Sequence, residues 1–214
     1  MTDKQKKLVN VYIDGFNFYH RIKKYQEVTG TCYKWLNYKS LTESFLRDGQ
    51  VLNKIYFFTA VTDYFGKGSS DRHKIYIKAL EAFNITIVRG YFQIEYSSKP
   101  KEKQTDINIA VQLLEDAFNE NFDIAFLLSA DSDLAPAVKA VKRNRPEKIV
   151  IVVPPPFEGK NKDSNPLRIL GTAQLRECCN AQKLLRFKYL ANHLLSDKVY
   201  NSKGKLIVEK PKEY

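Results

Sequence analysis

A chain of 214 residues suits one domain, with length enough to bury a sizeable core. Its 43% apolar and 28% charged residues are ordinary for a soluble globular protein, and no apolar run approaches the length of a bilayer span. Thirty-five Lys and Arg against 24 Asp and Glu leave a formal charge of +11, which suits a polyanionic partner, although solubility alone also accounts for a basic surface.

In chain order, Leu8 to Ile13 is short, apolar and β-branched, and reads as a buried strand. Asp14-Gly15 breaks it, and Phe16 to Tyr25 looks helical. A short helix is expected over Leu41 to Leu46, ending at Gly49, and an aromatic-rich strand over Lys54 to Val61. After the polar loop Asp63 to Ser70, a helix covers Ser69 to Phe83 and an extended stretch runs from Ile85 to Tyr96. Ser97 to Gln104 reads as a basic loop containing Pro100.

Thr105 to Asn121 is a helix with one apolar stripe at Ile107, Ala110, Val111, Leu114 and Phe118 and a second at Ile109, Leu113 and Ala117, so it is expected to be largely buried. A strand over Asp123 to Leu128 follows, then a helix over Ser132 to Arg143 with Pro136 tolerated in its first turn. Lys148 to Val153 is the next strand, stopped by Pro154-Pro155-Pro156. Helices are expected over Asn165 to Leu170 and Ala181 to Leu195, and a small hairpin or strand over Lys205 to Val208. The domain is placed at residues 1–195 and a basic tail at 196–214. Alternating strands and helices imply βαβ units and a mainly parallel sheet covered on both faces, an α/β fold.

Three acidic clusters fall where such a fold does chemistry. Asp14, with Asn17 close behind, ends the first strand, and ligands of open parallel sheets bind beyond the carboxyl ends of strands. A helix cap is the competing reading of Asp14. Asp106 opens the long helix, where an acid also favours the helix dipole. Asp131 and Asp133, in Ser129-Ala-Asp-Ser-Asp133, follow the strand that ends at Leu128. One cap would suffice there, and two acids repel unless a cation lies between them. If the two strands are neighbours, Asp14, Asp131 and Asp133 converge, and Asp106 joins them when its helix starts beside the crevice. Such an oxygen-only set suits Mg²⁺ or Mn²⁺ and phosphoryl-transfer chemistry. The scattered His20, His73 and His193, and the thiols Cys32, Cys178 and Cys179, form no metal motif or disulfide framework. The N-terminus is no signal peptide, so the cytoplasm is the expected compartment.

The segments Tyr12-Ile-Asp-Gly-Phe-Asn-Phe-Tyr19, Lys103-Gln-Thr-Asp-Ile-Asn108 and Leu127-Leu-Ser-Ala-Asp-Ser-Asp-Leu134 resemble the three signature motifs of NYN-domain proteins of the PIN-like nuclease superfamily, with the LabA-like (DUF88) group the nearest match. The run Val150-Ile-Val-Val-Pro-Pro-Pro156 is also similar to that group. The resemblance implies a Rossmann-like three-layer α/β/α sandwich and RNA cleavage with Mg²⁺ or Mn²⁺. It implies a metal-binding and catalytic set of Asp14, Asp106, Asp131 and Asp133. Asn17 would orient water or substrate, and Ser129 would brace the loop. Many relatives carry a further acid where this chain has Gln112, which leaves the number of metals open. Lys103 and Arg21 are the foremost candidates for gripping phosphates, with Lys99, Lys101, Lys23 and Lys24 behind them. Single-stranded RNA is the expected partner, a homodimer is possible, and no membrane is expected. A haloacid-dehalogenase-type phosphatase would need an Asp where Phe16 stands. A non-catalytic RNA- or protein-binding module on the same fold is the main alternative.

Overall fold

The computed structural model describes residues 6–64, 66–93, 100–158 and 173–214. Six strands form one parallel sheet in the order β3-β2-β1-β6-β7-β8. They are β1 (Lys7–Asp14), β2 (Gln50–Thr59), β3 (Thr86–Arg89), β6 (Ile124–Leu128), β7 (Ile149–Val152) and β8 (Ala181–Gln182). β1 lies at the centre, paired in parallel with β2 on one side and β6 on the other. Its last six residues are all buried, as befits a strand covered on both faces.

The period-2 alternation of β1 divides the molecule into layers. Val9, Val11 and Ile13 point into a core shared with Phe18 and Ile22 of α1 (Gly15–Thr29), Leu41 of α2 (Tyr38–Glu43) and Ala79 and Leu80 of α3 (Lys67–Ala82). Tyr12 points to the opposite core, with Ile109 and Leu113 of α4 (Thr105–Phe118), Val138 of α5 (Ala135–Asn144) and Leu175 of α6 (Ala173–Cys178). The result is a three-layer α/β/α sandwich. An antiparallel ribbon of β4 (Tyr91–Gln93) and β5 (Lys101–Lys103) precedes α4. A hairpin of β9 (Lys198–Tyr200) and β10 (Leu206–Glu209) inserts Val199 into the first core, and the ring of Tyr214 lies 6.1 Å from Trp35 and 6.3 Å from Tyr76. Among the described residues no helix is long and apolar enough to cross a membrane.

Several expectations change. The helix predicted over Ala181 to Leu195 is β8, the four-residue α7 (Phe187–Leu190) and a 3-10 turn at Ala191–His193. Its apolar residues resemble a helical stripe, but Leu185, Phe187, Leu190 and Leu195 enter the core from an irregular path, and pairing of Ala181 with Ile151 wins over local periodicity. On α4 the stripe Ile109, Leu113 and Ala117 is buried, whereas Ile107, Val111 and Phe118 are 65%, 46% and 49% exposed. The helix meets the sheet and α5 on one side only, so it is not largely buried. Lys101–Lys103, expected as loop, pairs with β4. The segment from Ser132 opens as a 3-10 turn, Ser132–Leu134, before α5. The helix expected over Asn165 to Leu170 lies outside the described residues, as does Lys99.

Candidate active site

β1 leads into α1 on one face of the sheet, and its neighbour β6 leads towards α5 on the other. Adjacent strands whose connections diverge leave a crevice at their carboxyl ends. The last paired residues are Ile13 and Leu128, so Asp14 and Ser129 are the first residues to enter that crevice. Asp14 shares a side of β1 with Asn10 and Tyr12, the side on which α4 packs. Asn10 Nδ2 and the Tyr12 hydroxyl donate to Asp116 Oδ2 at 3.1 and 2.7 Å, which ties the far end of α4 to the middle of β1. Ten residues of helix span about 15 Å and four of strand about 13 Å, so Asp106 comes level with Asp14.

Local hydrogen bonds fix the crevice. The Asn17 amide donates to Asp14 Oδ1 (2.9 Å), which makes Asp14 the N-cap of α1. The buried Ser129 hydroxyl donates to Asp14 Oδ2 (2.9 Å) and accepts from the Asp131 amide (3.0 Å). The Ala130 amide donates to Asn17 Oδ1 (3.0 Å), joining α1 to the loop after β6. Asp131 in turn accepts from the Asp133 amide (2.9 Å). At Gly15 an added Cβ would stand 2.7 Å from the Phe58 carbonyl oxygen, so only glycine lets α1 leave β1 this close to β2.

α4 starts differently. Its cap position is Gln104, with φ of 74° and no side-chain capping bond, so neither Thr105 nor Asp106 is the cap. Instead Glu102 of β5 accepts from the Thr105 amide (3.0 Å) and from its hydroxyl. This left-handed backbone at a non-glycine residue is a strained feature of the kind that collects at functional sites.

Capping alone would lower the pKa of a carboxylate. Asp14 is instead pushed up to about 6, by burial first and also by Asp131 and Glu102, against the opposing hydrogen bonds from Asn17 and Ser129. Asp106 is also pushed up to about 6, by burial first and then by Asp14, Asp131, Glu102 and Asp133. The structure therefore brings Asp14, Asp106, Asp131 and Asp133 to one crevice, with Asn17 and Ser129 in its frame. It adds Glu102, which the sequence reading missed because it lay inside a segment read as a basic loop. Arg21 is half-buried on α1, one turn beyond Asn17 on the same face. Lys103 is half-buried at the end of β5, next to Glu102.

Among the described residues no group of three or more Asp, Glu, His or Cys side chains closes as a ready metal cage. The donor chemistry nevertheless fits a hard divalent ion. The donors are carboxylate oxygens, burial and then mutual repulsion hold two pKa values high, and exposed Asp133 keeps the crevice open to water. An ion such as Mg²⁺ keeps several of its waters and does not need an all-protein cage.

A three-layer α/β/α sandwich with an acidic crevice at the point where its connections diverge has the architecture of the PIN-like nuclease superfamily. The NYN domain of that superfamily matches residues 8–168, and the chain belongs to this family. It is 26% identical over 217 aligned residues to 6-hydroxy-3-succinoylpyridine 3-monooxygenase of Pseudomonas putida, spanning 81% of this chain and 67% of that protein. A crystal structure of a Vibrio parahaemolyticus protein of unknown function superposes with a TM-score of 0.60 at 16% identity, over 91% of this chain and 100% of the other. At that identity the likeness bears on the fold alone.

Proposed function

We propose that the crevice hydrolyses phosphodiester bonds of single-stranded RNA with bound Mg²⁺ or Mn²⁺. The observation that carries this reading is the gathering of Asp14, Asp131 and Asp133 beyond the ends of two adjacent parallel strands with Asp106 at the start of α4, where burial and mutual repulsion make the carboxylates receptive to a cation. When bound, the metal would polarise the phosphate and provide an activated water. Asp14 and Asp131 would hold it, since hydrogen bonds already fix their orientation. Asp133 would reach it from the solvent side. Asp106, half-buried at the start of α4, would take a proton from the attacking water. Ser129 and Asn17 position the two acidic loops relative to each other. Lys103 and Arg21 would steady the backbone phosphates.

The deciding experiment is incubation of a mixed RNA pool with wild type and Asp131→Asn, with and without Mn²⁺. Manganese-dependent cleavage by the wild type alone supports the reading. Binding without cleavage by either protein points to a non-catalytic module. The monooxygenase relative motivates one more arm, because its likeness covers most of this chain. Oxygen consumption with 6-hydroxy-3-succinoylpyridine and a reductant, and no RNA cleavage, would overturn the nuclease reading.

A further inference from the structure

We infer that the cavity beside the carboxylates is a base pocket, which stacks a nucleobase of the RNA strand next to the phosphate held in the crevice. The inference rests on the nuclease reading for its RNA, but not for its geometry. The cavity has a volume of about 730 Å³, within the ordinary range for an organic ligand and far more than a hydrated ion needs. It shares a wall with the acidic crevice. Gly15, which follows Asp14, lines it, and so does Glu102, whose charge acts on both Asp14 and Asp106. Glu102 lies directly opposite Phe92 in the β4–β5 ribbon, so the two side chains share one face. The ribbon thus offers an acid to the crevice and a ring to the cavity.

The rings at this end are arranged for stacking. Phe16 and His20, one turn apart on α1, stack with centroids 6.3 Å apart, and Phe92 meets Phe16 edge-on at 5.9 Å. Tyr19 is 38% exposed, with Lys34 Nζ 5.8 Å from its ring centre. Deeper in, Thr59 Oγ1 and His73 Nε2 share a hydrogen bond of 3.0 Å, a polar pair inside a mainly aromatic wall. Some lining rings, such as Phe57 and Tyr76, are buried and belong to the core. Tyr19 and His20 are exposed and Phe16 half-exposed, which is more than packing requires. Aromatic faces with lysines at the rim bind single-stranded nucleic acid by stacking, with little regard to sequence.

The test uses binding in EDTA, so that no turnover is needed. The probes are a single-stranded oligoadenylate carrying 2-aminopurine and a strand of abasic ribose phosphates of equal length and charge. Wild type should bind the base-bearing strand at least about 5-fold more tightly and quench its fluorescence. Tyr19→Ala and Phe16→Ala should lose both effects, whereas Tyr19→Phe should keep them. Equal affinity of wild type for the two strands would overturn the pocket, as would full preference in both alanine variants. The two readings fail separately. Base preference without any cleavage removes the nuclease and leaves the pocket. Asp131-dependent cleavage of both strands at equal rates removes the pocket and leaves the nuclease.

Discussion

Asp14 does two jobs that pull its chemistry in opposite directions. As an N-cap it accepts a backbone amide, which favours the carboxylate, yet it is 3% exposed among other acids, which disfavours it. The second effect wins, because its pKa rises from 3.8 to about 6. A raised folded-state pKa means that between about pH 4 and 6 the folded protein keeps a proton that the unfolded chain has released. Stability therefore falls as pH climbs through that window, by at most roughly 3 kcal/mol. Asp14→Asn should reduce this slope in metal-free protein, leaving the part that comes from Asp106, whose pKa is also raised to about 6. Urea unfolding in EDTA should show the variant level with wild type near pH 4 and more stable at pH 7 to 8. In Mn²⁺ the same variant should lose RNA cleavage while keeping most of its RNA affinity, because a ligand is gone and the basic surface is not. A variant that still cleaves RNA at the wild-type rate would make Asp14 a cap and nothing more, since Asn caps helices about as well as Asp. Ser129 gives the complementary result. Its hydroxyl serves Asp14 and the Asp131 amide together. Ser129→Ala should cost about 1–3 kcal/mol and steepen the pH slope, since the lost bond is one that stabilises the ionised Asp14. An unchanged slope would mean that water replaces the hydroxyl.

Among the elements, α4 sets the depth of the crevice, and its register depends on a buried acid remote from the site. Asp116 is 1% exposed and accepts from Tyr12, Asn10 and Asn121, with Gln112 in reach at 3.3 Å. Asp116→Ala would leave several buried donors unmatched, and chemical denaturation should show a loss of about 3 kcal/mol or more. Cleavage should fall as well, since Asp106 is placed by the other end of the same helix. A loss of stability with turnover unchanged would show that Asp106 is held locally by the turn after Glu102. The elements around the crevice were legible from sequence because local and tertiary signals agree in them. β1 and β6 are short apolar runs ended by acids, and α4 has a regular stripe. Asp116 and Glu102 were not legible as site-building residues. An acid that gathers buried donors looks in sequence like any acid on a helix, and a three-residue strand among lysines looks like a loop. The exposed half of α4 and the irregular path after Ala181 were misread for one reason. Apolar periodicity shows that a face could be buried, but only the tertiary arrangement decides which face finds a partner.

The whole molecule combines a formal charge of +11 with a crevice whose carboxylates repel one another. A strand of RNA is therefore drawn to the body and repelled from the centre until a cation lies there. These two effects should separate in solution. Attraction to the basic surface releases counterions, so the logarithm of the RNA association constant should fall linearly with the logarithm of salt concentration, by about 0.7 per phosphate neutralised. Lys103→Ala should reduce that slope by about one such step if the lysine touches a phosphate. Asp14→Asn should leave the slope as it is, since the carboxylate grips no phosphate, and should raise metal-free affinity slightly by removing repulsion. Mn²⁺ at constant ionic strength should tighten RNA binding to wild type more than to Asp14→Asn, because only the intact crevice can convert its repulsion into a bridge between carboxylates and phosphate. Fluorescence anisotropy with a labelled single strand reads all three effects in one titration series. A slope that is flat with salt would remove the basic surface as the grip. A manganese effect equal in both proteins would place the cation somewhere other than the crevice.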